Sequence, residues 1–127
     1  MRTTIKALHL GKPIVWQVAD VVRFESSHKY TVCHHRDGRE LLIVDSLRKL
    51  AVELGDRFIQ LNRAALVSRD ALLGVKSRTD RMEGFAFVAG LPEPLPCGRK
   101  YVSAVKRFIR QRSAGLTSEV SNNGTSN

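Results

Sequence analysis

A succession of short β-type segments separated by turn residues limits the fold of this chain most strongly. Three such segments precede residue 34, and they are Ile14-Val15-Trp16, the apolar stretch from Val18 to Phe24, and Lys29-Tyr30-Thr31-Val32-Cys33. They are rich in β-branched and aromatic residues, which favour strands. Asp37-Gly38 suits a tight hairpin because both residues can adopt positive φ, and residues 39–44 then return as the partner strand. We predict two antiparallel strands within residues 18–44, joined at 37–38 and preceded by a strand near residue 14.

The segment DSLRKLAVEL, residues 45–54, changes to a helical period. Its apolar residues recur at the spacing of one helical face, and they are Leu47, Leu50, Ala51 and Leu54. Either Asp45 or Ser46 can serve as the N-cap, and Gly55 suits the C-terminal end. The pattern predicts a short amphipathic helix.

The remaining segments alternate between strands, turns and one further helix. We predict strands at 58–61, within 66–76 and at 84–88, with turns at Thr79-Asp80-Arg81-Met82 and Leu91-Pro92-Glu93-Pro94. Residues 99–112 carry an apolar stripe at helical spacing, with basic residues mostly off that stripe. The expected organisation is an N-terminal lead at 1–12, one domain at 13–112 and a disordered, polar tail at 113–127.

The charge balance indicates a polyanionic partner. The chain of 127 residues has 21 Lys plus Arg against 12 Asp plus Glu, a formal charge of +9 and a pI of about 10.3. Such an excess favours nucleic acid first and an anionic membrane second, while the alternative is a basic protein kept soluble by its charge. No apolar run approaches the ~20 residues of a spanning helix, and the N-terminus lacks the apolar region of a signal peptide. We therefore expect a cytoplasmic protein with Cys33 and Cys97 reduced.

Neither metal nor catalytic chemistry has a clear sequence signal. His34 and His35 are adjacent and would point to opposite faces of a strand, and the other two histidines lack ligands at a suitable spacing. No nucleophile elbow, phosphate-binding loop or zinc-protease motif occurs. We expect no metal, no cofactor and no enzymatic activity, although a catalytic site assembled in space from distant residues stays open.

Basic residues concentrate where predicted strands end. These positions are Ser26-Ser27-His28-Lys29, Asn62-Arg63, Ser68-Arg69 and Gly98-Arg99-Lys100. Arg63 is the most conspicuous, because it interrupts an otherwise apolar run from residue 57 to 70. Projecting arginines at such ends can meet phosphates and base edges of duplex DNA. The alternative is that strand ends are simply polar and collect charged residues without a function.

Three ordered blocks of the sequence resemble the LytTR family of bacterial DNA-binding domains. The blocks are VADVVRFESSHKYTV, RDGRELLIVDSLRKLAVELGDRFIQLNRAALVSRDAL and LPCGRKYVSAVKRFI, within a match that spans roughly residues 14–111. The resemblance implies a mainly β, elongated fold of about ten short strands in small sheets, with one short internal helix and a C-terminal helix. It also implies a sequence-specific transcription regulator that places loops and strand edges in successive major grooves.

The resemblance also implies a set of DNA-contacting residues. The loop after Glu25 offers His28, Lys29 and Tyr30, the family's His-Arg-Ser block becomes Asn62-Arg63-Ala64, and its last block becomes Gly98-Arg99 with Cys97 and Lys100 beside it. We expect Arg99 and the His28-Lys29 loop to contact base edges. We expect Asn62, Arg63, Arg69 and Lys100 to contact phosphates.

Departures from the family pattern occur at the same positions. Asn62 and Ala64 replace a His and a Ser, and Cys97-Gly98 replaces Val-Ser, so hydroxyl groups are lost beside Arg63 and Arg99. Contacts at Ala64 and Gly98 are therefore expected to come only from backbone N–H groups. Cys97 is either a redox-sensitive residue near DNA or a small, partly buried residue.

Relatives of this type commonly bind as pairs on tandem DNA repeats, so the resemblance implies a homodimer on DNA. Most of them also carry a receiver domain, which leaves a stand-alone regulator and a C-terminal piece as alternatives. A small basic RNA-binding β protein is the main rival, but only 6% of the residues are aromatic, which is few for base stacking. Competition between duplex DNA and single-stranded RNA separates these two functions.

Overall fold

A computed structural model describes residues 1–78 and 83–121 of the chain, with side chains as far as residue 112. Within those residues it contains ten strands and two α-helices, which confirms the predicted mainly β fold of small sheets. The strands are β1 (Thr4–His9), β2 (Lys12–Gln17), β3 (Val21–Ser27), β4 (Tyr30–His35), β5 (Glu40–Ile43), β6 (Phe58–Asn62), β7 (Ala65–Ser68), β8 (Leu72–Ser77), β9 (Gly84–Val88) and β10 (Leu95–Cys97). The helices are α1 (Leu47–Leu54) and α2 (Arg99–Ser121).

The chain begins with a β-hairpin, which includes most of the N-terminal lead assigned to residues 1–12. Strands β1 and β2 pair antiparallel from Thr4 opposite Gln17 to His9 opposite Lys12. The turn between them has positive φ at Leu10 and Gly11, 52° and 76°, as a two-residue hairpin turn requires. Leu10 has no turn preference, so this hairpin was not predicted from the sequence. Its core-facing Ile5 is fully buried.

The central element is a five-stranded sheet in the order β5-β4-β3-β7-β6, with every neighbouring pair antiparallel. Residues 18–44 supply three of its strands, so the prediction of two was wrong by one strand. The hairpin at Asp37-Gly38 is present, but of these two residues only Gly38 has positive φ (97°). A second, tighter turn at His28-Lys29 joins β3 to β4, at the loop expected after Glu25.

Both faces of this sheet are covered, and alternation along β6 and β7 assigns each residue to one side. On one face Phe58 and Leu66 join a core with Phe24, α1 and the N-terminal hairpin. On the other face Ile59 and Val67 join a second core with α2 and the small sheet. Strands buried on both faces have nearly continuous apolar sequences, which is the pattern of residues 65–67 and, apart from Gln60, of residues 58–61.

Helix α1 forms as its sequence predicted and covers the first face of the sheet. Of the two candidate caps, Ser46 is used, because its hydroxyl oxygen accepts the N–H of Lys49 at 3.1 Å. Gly55 ends the helix with a φ of 57°, a conformation that favours glycine. Leu47, Leu50 and Leu54 are the buried side chains of this helix.

The second sheet has the order β10-β9-β8, and α2 packs beside it. Helix α2 begins at Arg99 as predicted but continues to Ser121, where the sequence predicted a disordered tail from residue 113. A helix held by packing in its first turns extends at low cost, because each further residue adds one hydrogen bond. Residues 122–127 and the predicted turn at 79–82 lie outside the described residues.

Gly84 offers a test of the packing between β9, β8 and α2. A Cβ atom at this position would lie 2.5 Å from the carbonyl oxygen of Lys76 and 3.2 Å from Val102 Cγ2. We expect Gly84→Ala to lower the free energy of unfolding by about 1–3 kcal/mol, because neither the backbone nor the core can yield without cost. Urea denaturation measures this change.

Gly74→Ala in β8 is the matched control, since an added Cβ there meets no atom within 4 Å. It should change stability by no more than about 0.5–1 kcal/mol, in either direction. Equal destabilisation by both substitutions would contradict this account of the packing.

Candidate nucleic-acid interface

Three of the predicted basic segments meet where the strands of the five-stranded sheet end, on the side of the β3–β4 and β6–β7 turns. We call this the basic edge and define it by the turn between β3 and β4, the turn between β6 and β7, and the start of α2. Its cationic or titratable side chains are His28, Lys29, Arg63, Arg99 and Lys100, all of them exposed. They come from positions up to 72 residues apart in the chain, between His28 and Lys100, so only the tertiary fold brings them together.

The β3–β4 turn is held at the edge by regular strand pairing. Ser27 lies opposite Tyr30, which leaves His28 and Lys29 as the two turn residues. His28 has a φ of 54°, a left-handed conformation that His, unlike β-branched residues, adopts with modest strain. Tyr30 begins β4 and is 49% exposed, so it adds an aromatic ring beside the two turn residues.

The β6–β7 turn lies beside this first turn because β3 and β7 are neighbours. Glu25 pairs with Ala65, and the N–H of Ser26 donates to the carbonyl of Ala64 at 2.9 Å. Arg63 occupies the tip of the turn and is exposed. Arg63 interrupts an apolar run in the sequence because it stands at the reversal between two core strands.

Asn62 fixes the shape of this turn and connects it to β10. Its side-chain oxygen accepts the N–H of Ala64 at 2.7 Å, and its amide nitrogen donates to the carbonyl of Pro96 at 2.7 Å. Asn can satisfy both groups at once because it carries an acceptor and donors on one side chain. Asn62 was predicted as a phosphate ligand; in the structure its amide instead joins Arg63 to the segment that precedes Arg99.

A bulge in β6 attaches the start of α2 to the same edge. The register shifts between Gln60 and Asn62, so Leu61 has no opposite residue in β7. Its carbonyl accepts the N–H of Gly98 at 2.8 Å, and Gly98 in turn precedes the first residue of α2, Arg99. The backbone of β6 therefore sets the position of Arg99.

The backbone donors expected at Ala64 and Gly98 are already used within the chain. The N–H of Ala64 donates to Asn62 and the N–H of Gly98 donates to Leu61. A backbone contact from either residue to DNA would therefore require its internal hydrogen bond to break or to be shared. Sequence alone could not reveal these internal hydrogen bonds, because the partners depend on the bulge and on the contact with β10.

The cations of the basic edge differ electrostatically from most other arginines of the sheet. Arg23, Arg36 and Arg39 each form an ion pair with a carboxylate, at 3.5, 3.1 and 2.8 Å. Across the part of the chain that the structure describes, no carboxylate lies within 4.0 Å of Lys29, Arg63, Arg99 or Lys100, so none of these four is in an ion pair. Unpaired cations on one edge can meet an anionic ligand without first breaking an internal pair.

Two predicted site residues do not belong to the basic edge. Cys97 is only 1% exposed and lies in the second core, because alternation along β10 turns it inward. Arg69 follows β7, at the end of the strand remote from Arg63, and its guanidinium stacks on the ring of Phe108 at 4.7 Å. The expected DNA contacts of Cys97 and Arg69 stay predictions, and both residues lie outside the basic edge as defined above.

The start of α1 was not predicted as part of this edge, yet it lies near it. Thr31, next to Tyr30, donates its hydroxyl to the carbonyl of Asp45 at 2.6 Å. Arg48 in the first turn of α1 is exposed. In the sequence, Arg48 stands out only because it lies outside the leucine face of α1, and many solvent-facing residues share that feature.

Within the described residues, no group of three or more His, Cys, Asp or Glu side chains is arranged to hold a metal ion. In the same residues, no helix has both the length and the apolar character needed to cross a membrane.

Comparison with known proteins identifies the fold family. Residues 11–110 match the model of the LytTr DNA-binding domain. The chain belongs to the LytTr family. It is 32% identical over 93 residues to the Positive alginate biosynthesis regulatory protein of Pseudomonas aeruginosa. That match covers 72% of the chain but only 37% of the relative, so the chain spans little more than a third of that protein's length.

A solved structure supports the fold assignment. The LytTr DNA-binding domain of a putative methyl-accepting/DNA response regulator from Bacillus cereus is similar, with a TM-score of 0.71. The alignment covers 86% of this chain and 98% of that domain, at 15% sequence identity. At this identity the likeness concerns the fold, which agrees with the ten strands and two helices described above.

The buried thiol of Cys97 gives a pH-dependent prediction. Burial raises the pKa of Cys97 from 9.0 to about 11, so the unfolded chain loses this proton at lower pH than the folded chain. The free energy of unfolding should therefore fall as pH rises from 9 toward 11, by about 1 kcal/mol at pH 10 from this group. Urea denaturation at about pH 8 and pH 10 measures the fall.

Cys97→Ala is the control, because it should reduce that fall while lowering stability at neutral pH. An unchanged fall in this variant would show that Cys97 does not contribute. The native thiol should also resist alkylating reagents at neutral pH, since it is protonated and inaccessible.

Proposed function

We propose that this LytTr domain binds duplex DNA through its basic edge and serves as the DNA-reading module of a transcription regulator. Family membership supports DNA binding, and the printed name of the Pseudomonas relative supports a regulatory role. The observation that carries the proposal is the convergence of Lys29, Arg63, Arg99 and Lys100, none of them ion-paired within the described residues, on one edge. Phosphate contacts supply most of the affinity of such an interface.

The spacing of the two turns fits the width of a major groove. Each turn closes a hairpin, and the hairpins are adjacent through β3 and β7, so the turn centres are separated by two strand spacings, roughly 10 Å. A B-DNA major groove is about 12 Å wide. In this proposal the β3–β4 turn and the start of α2 enter the same major groove, while Arg63 remains near its flanking phosphates. Successive major grooves lie about 34 Å apart, so a second groove would be occupied by a second copy of the domain.

The roles of the side chains follow from how each one is held. Arg99 stands at the start of α2, fixed through Gly98, and its fork of donors suits the O6 and N7 atoms of guanine. His28 and Lys29 read base edges from the β3–β4 turn, with Tyr30 against the sugar or thymine methyl groups. Arg63 and Lys100 neutralise phosphates. Asn62 contributes indirectly by holding Arg63 and Pro96 in place.

The same proposal includes binding as a pair on tandem DNA repeats. A single edge of this size contacts few base pairs, so two copies on adjacent half-sites supply the specificity that one copy lacks. Selection from a random duplex library at physiological salt tests the whole proposal. A repeated motif supports it, and recovery of no preferred sequence contradicts it.

Arg99→Ala should reduce affinity for the selected duplex by about 1–3 kcal/mol and relax the preference at one base position. The reason is the loss of a bidentate contact to a base edge. Electrophoretic mobility shifts with the cognate duplex and with single-base variants measure both effects. Equal losses on cognate and scrambled duplexes would reassign Arg99 to the phosphates.

Arg63→Ala should weaken binding to all sequences alike. Because each neutralised phosphate releases counterions, the slope of log affinity against log salt should decrease by about 0.9. Fluorescence anisotropy across a salt series provides the slope. The control is Arg36→Ala, which removes the same charge from the opposite end of the sheet, beside Asp20, and should leave the slope nearly unchanged.

A further inference from the structure

A cavity of about 340 Å³ lies at the end of the β6–β7 hairpin remote from the basic edge. It is bounded by the short turns that precede β6 and follow β7, and by the middle of α2. The side chains that matter for its chemistry are Asp56, Arg57, Arg69, Asp70, Phe108 and Arg112. A volume of this size is within the range of small-molecule sites.

The cavity wall contains an aromatic ring with two guanidinium groups stacked on it. The guanidinium carbon of Arg69 lies 4.7 Å from the centre of the Phe108 ring, and that of Arg112 lies 5.0 Å from it. Cation–π attraction offsets part of the repulsion between the two positive charges. It does not neutralise either of them.

Arg112 is held rigidly by backbone carbonyls. Its two terminal nitrogens donate to the carbonyl of Arg69 at 3.1 Å and to the carbonyl of Leu72 at 2.6 Å. These bonds fix the guanidinium relative to the turn that carries Arg69. The site is therefore organised before any ligand arrives, which reduces the entropy lost on binding.

Arg69 has an unsatisfied donor. Its Nε atom is buried and has no hydrogen-bond partner. Leaving a buried N–H without an acceptor costs about 1–3 kcal/mol, so such groups are rare unless a ligand or ion completes them.

Among the described residues, the arginines of the cavity form no ion pair. In the described part of the chain no carboxylate lies within 4.0 Å of a guanidinium nitrogen of Arg57, Arg69 or Arg112, although all three side chains are half-buried. Asp56 and Asp70 line the same cavity but are exposed. Three half-buried guanidinium groups without an ion pair favour an anionic ligand.

We propose that this cavity binds a small molecule carrying one oxyanion group, a phosphate or a carboxylate, which is neutralised by the guanidinium groups of Arg57, Arg69 and Arg112. Three arginines against two aspartates leave a net lining charge of only +1. That balance suits a single oxyanion and disfavours a polyphosphate. The site is separate from the basic edge, so the inference does not depend on the proposed DNA binding.

Nuclear magnetic resonance of the full chain tests the site directly through the Arg69 Nε–H signal. Inorganic phosphate and acetate are titrated separately, with chloride adjusted to keep ionic strength constant. We expect at least one of the two to shift the Arg69 Nε–H signal and the Phe108 ring signals along a saturable curve. The relative response distinguishes a phosphate site from a carboxylate site. If neither probe gives a saturable shift at Arg69, the proposal fails.

Arg69→Gln and Arg57→Gln should each lower the affinity for the oxyanion about tenfold or more, because each removes a charge-assisted donor. Arg110→Gln is the matched control, since it removes the same charge from an exposed position of α2 that does not line the cavity. For the two variants at the cavity, Phe108 ring signals report binding. Equal weakening in all three variants would mean a general charge effect and would overturn the site.

A final titration uses a short DNA duplex in place of the small anions. Shifts confined to the basic edge are expected, with the Arg69 signal unchanged. A duplex that perturbs Arg69 while free phosphate and acetate do not would assign the cavity to the DNA interface and overturn the proposal.

Discussion

The structure depends on the burial of β6 and β7 on both faces. Phe58 and Leu66 face one core, and Ile59 and Val67 face the other, so two otherwise separate cores share one pair of strands. Because a shift of one residue would exchange the two faces, the register of this pair is strongly specified. The other two basic segments are positioned by these two strands, because the β3–β4 hairpin pairs with β7 within the sheet and α2 packs in the second core.

The bulge at Leu61 connects the packed strand β6 to the turn of Arg63 and to the start of α2. It adds one residue to β6, frees a carbonyl for Gly98 and allows Asn62 to reach both Ala64 and Pro96. Without the bulge, each carbonyl of β6 would bond to β7 or point to solvent. The start of α2 would then lose the hydrogen bond between Gly98 and Leu61. One irregularity in a buried strand therefore brings Arg63 and Arg99 to the same edge.

The two ends of the β6–β7 hairpin carry arginines in different environments. At the basic edge Arg63 is exposed, at the tip of a turn, where it can follow a mobile or extended anion such as a DNA backbone. At the other end Arg69 is half-buried, stacked on Phe108 and incompletely hydrogen-bonded. The two arginines differ in burial. Sequence analysis assigned them the same role because both follow apolar strands.

Local sequence determined the elements whose causes are local. The leucine spacing and Ser46 specified α1, Gly38 specified a hairpin, and apolar alternation identified most strands, because each depends on residues within one or two turns of the chain. The resemblance to LytTR domains extended the prediction from single helices and strands to the whole fold. Tertiary structure alone decided that Leu10-Gly11 closes a hairpin, that Cys97 is buried, that Asn62 is committed to Pro96, and that Arg69 faces a cavity. These outcomes depend on partners distant in sequence, such as Arg112, which lies 43 residues from Arg69. Side-chain type alone does not specify which partner a polar group will meet.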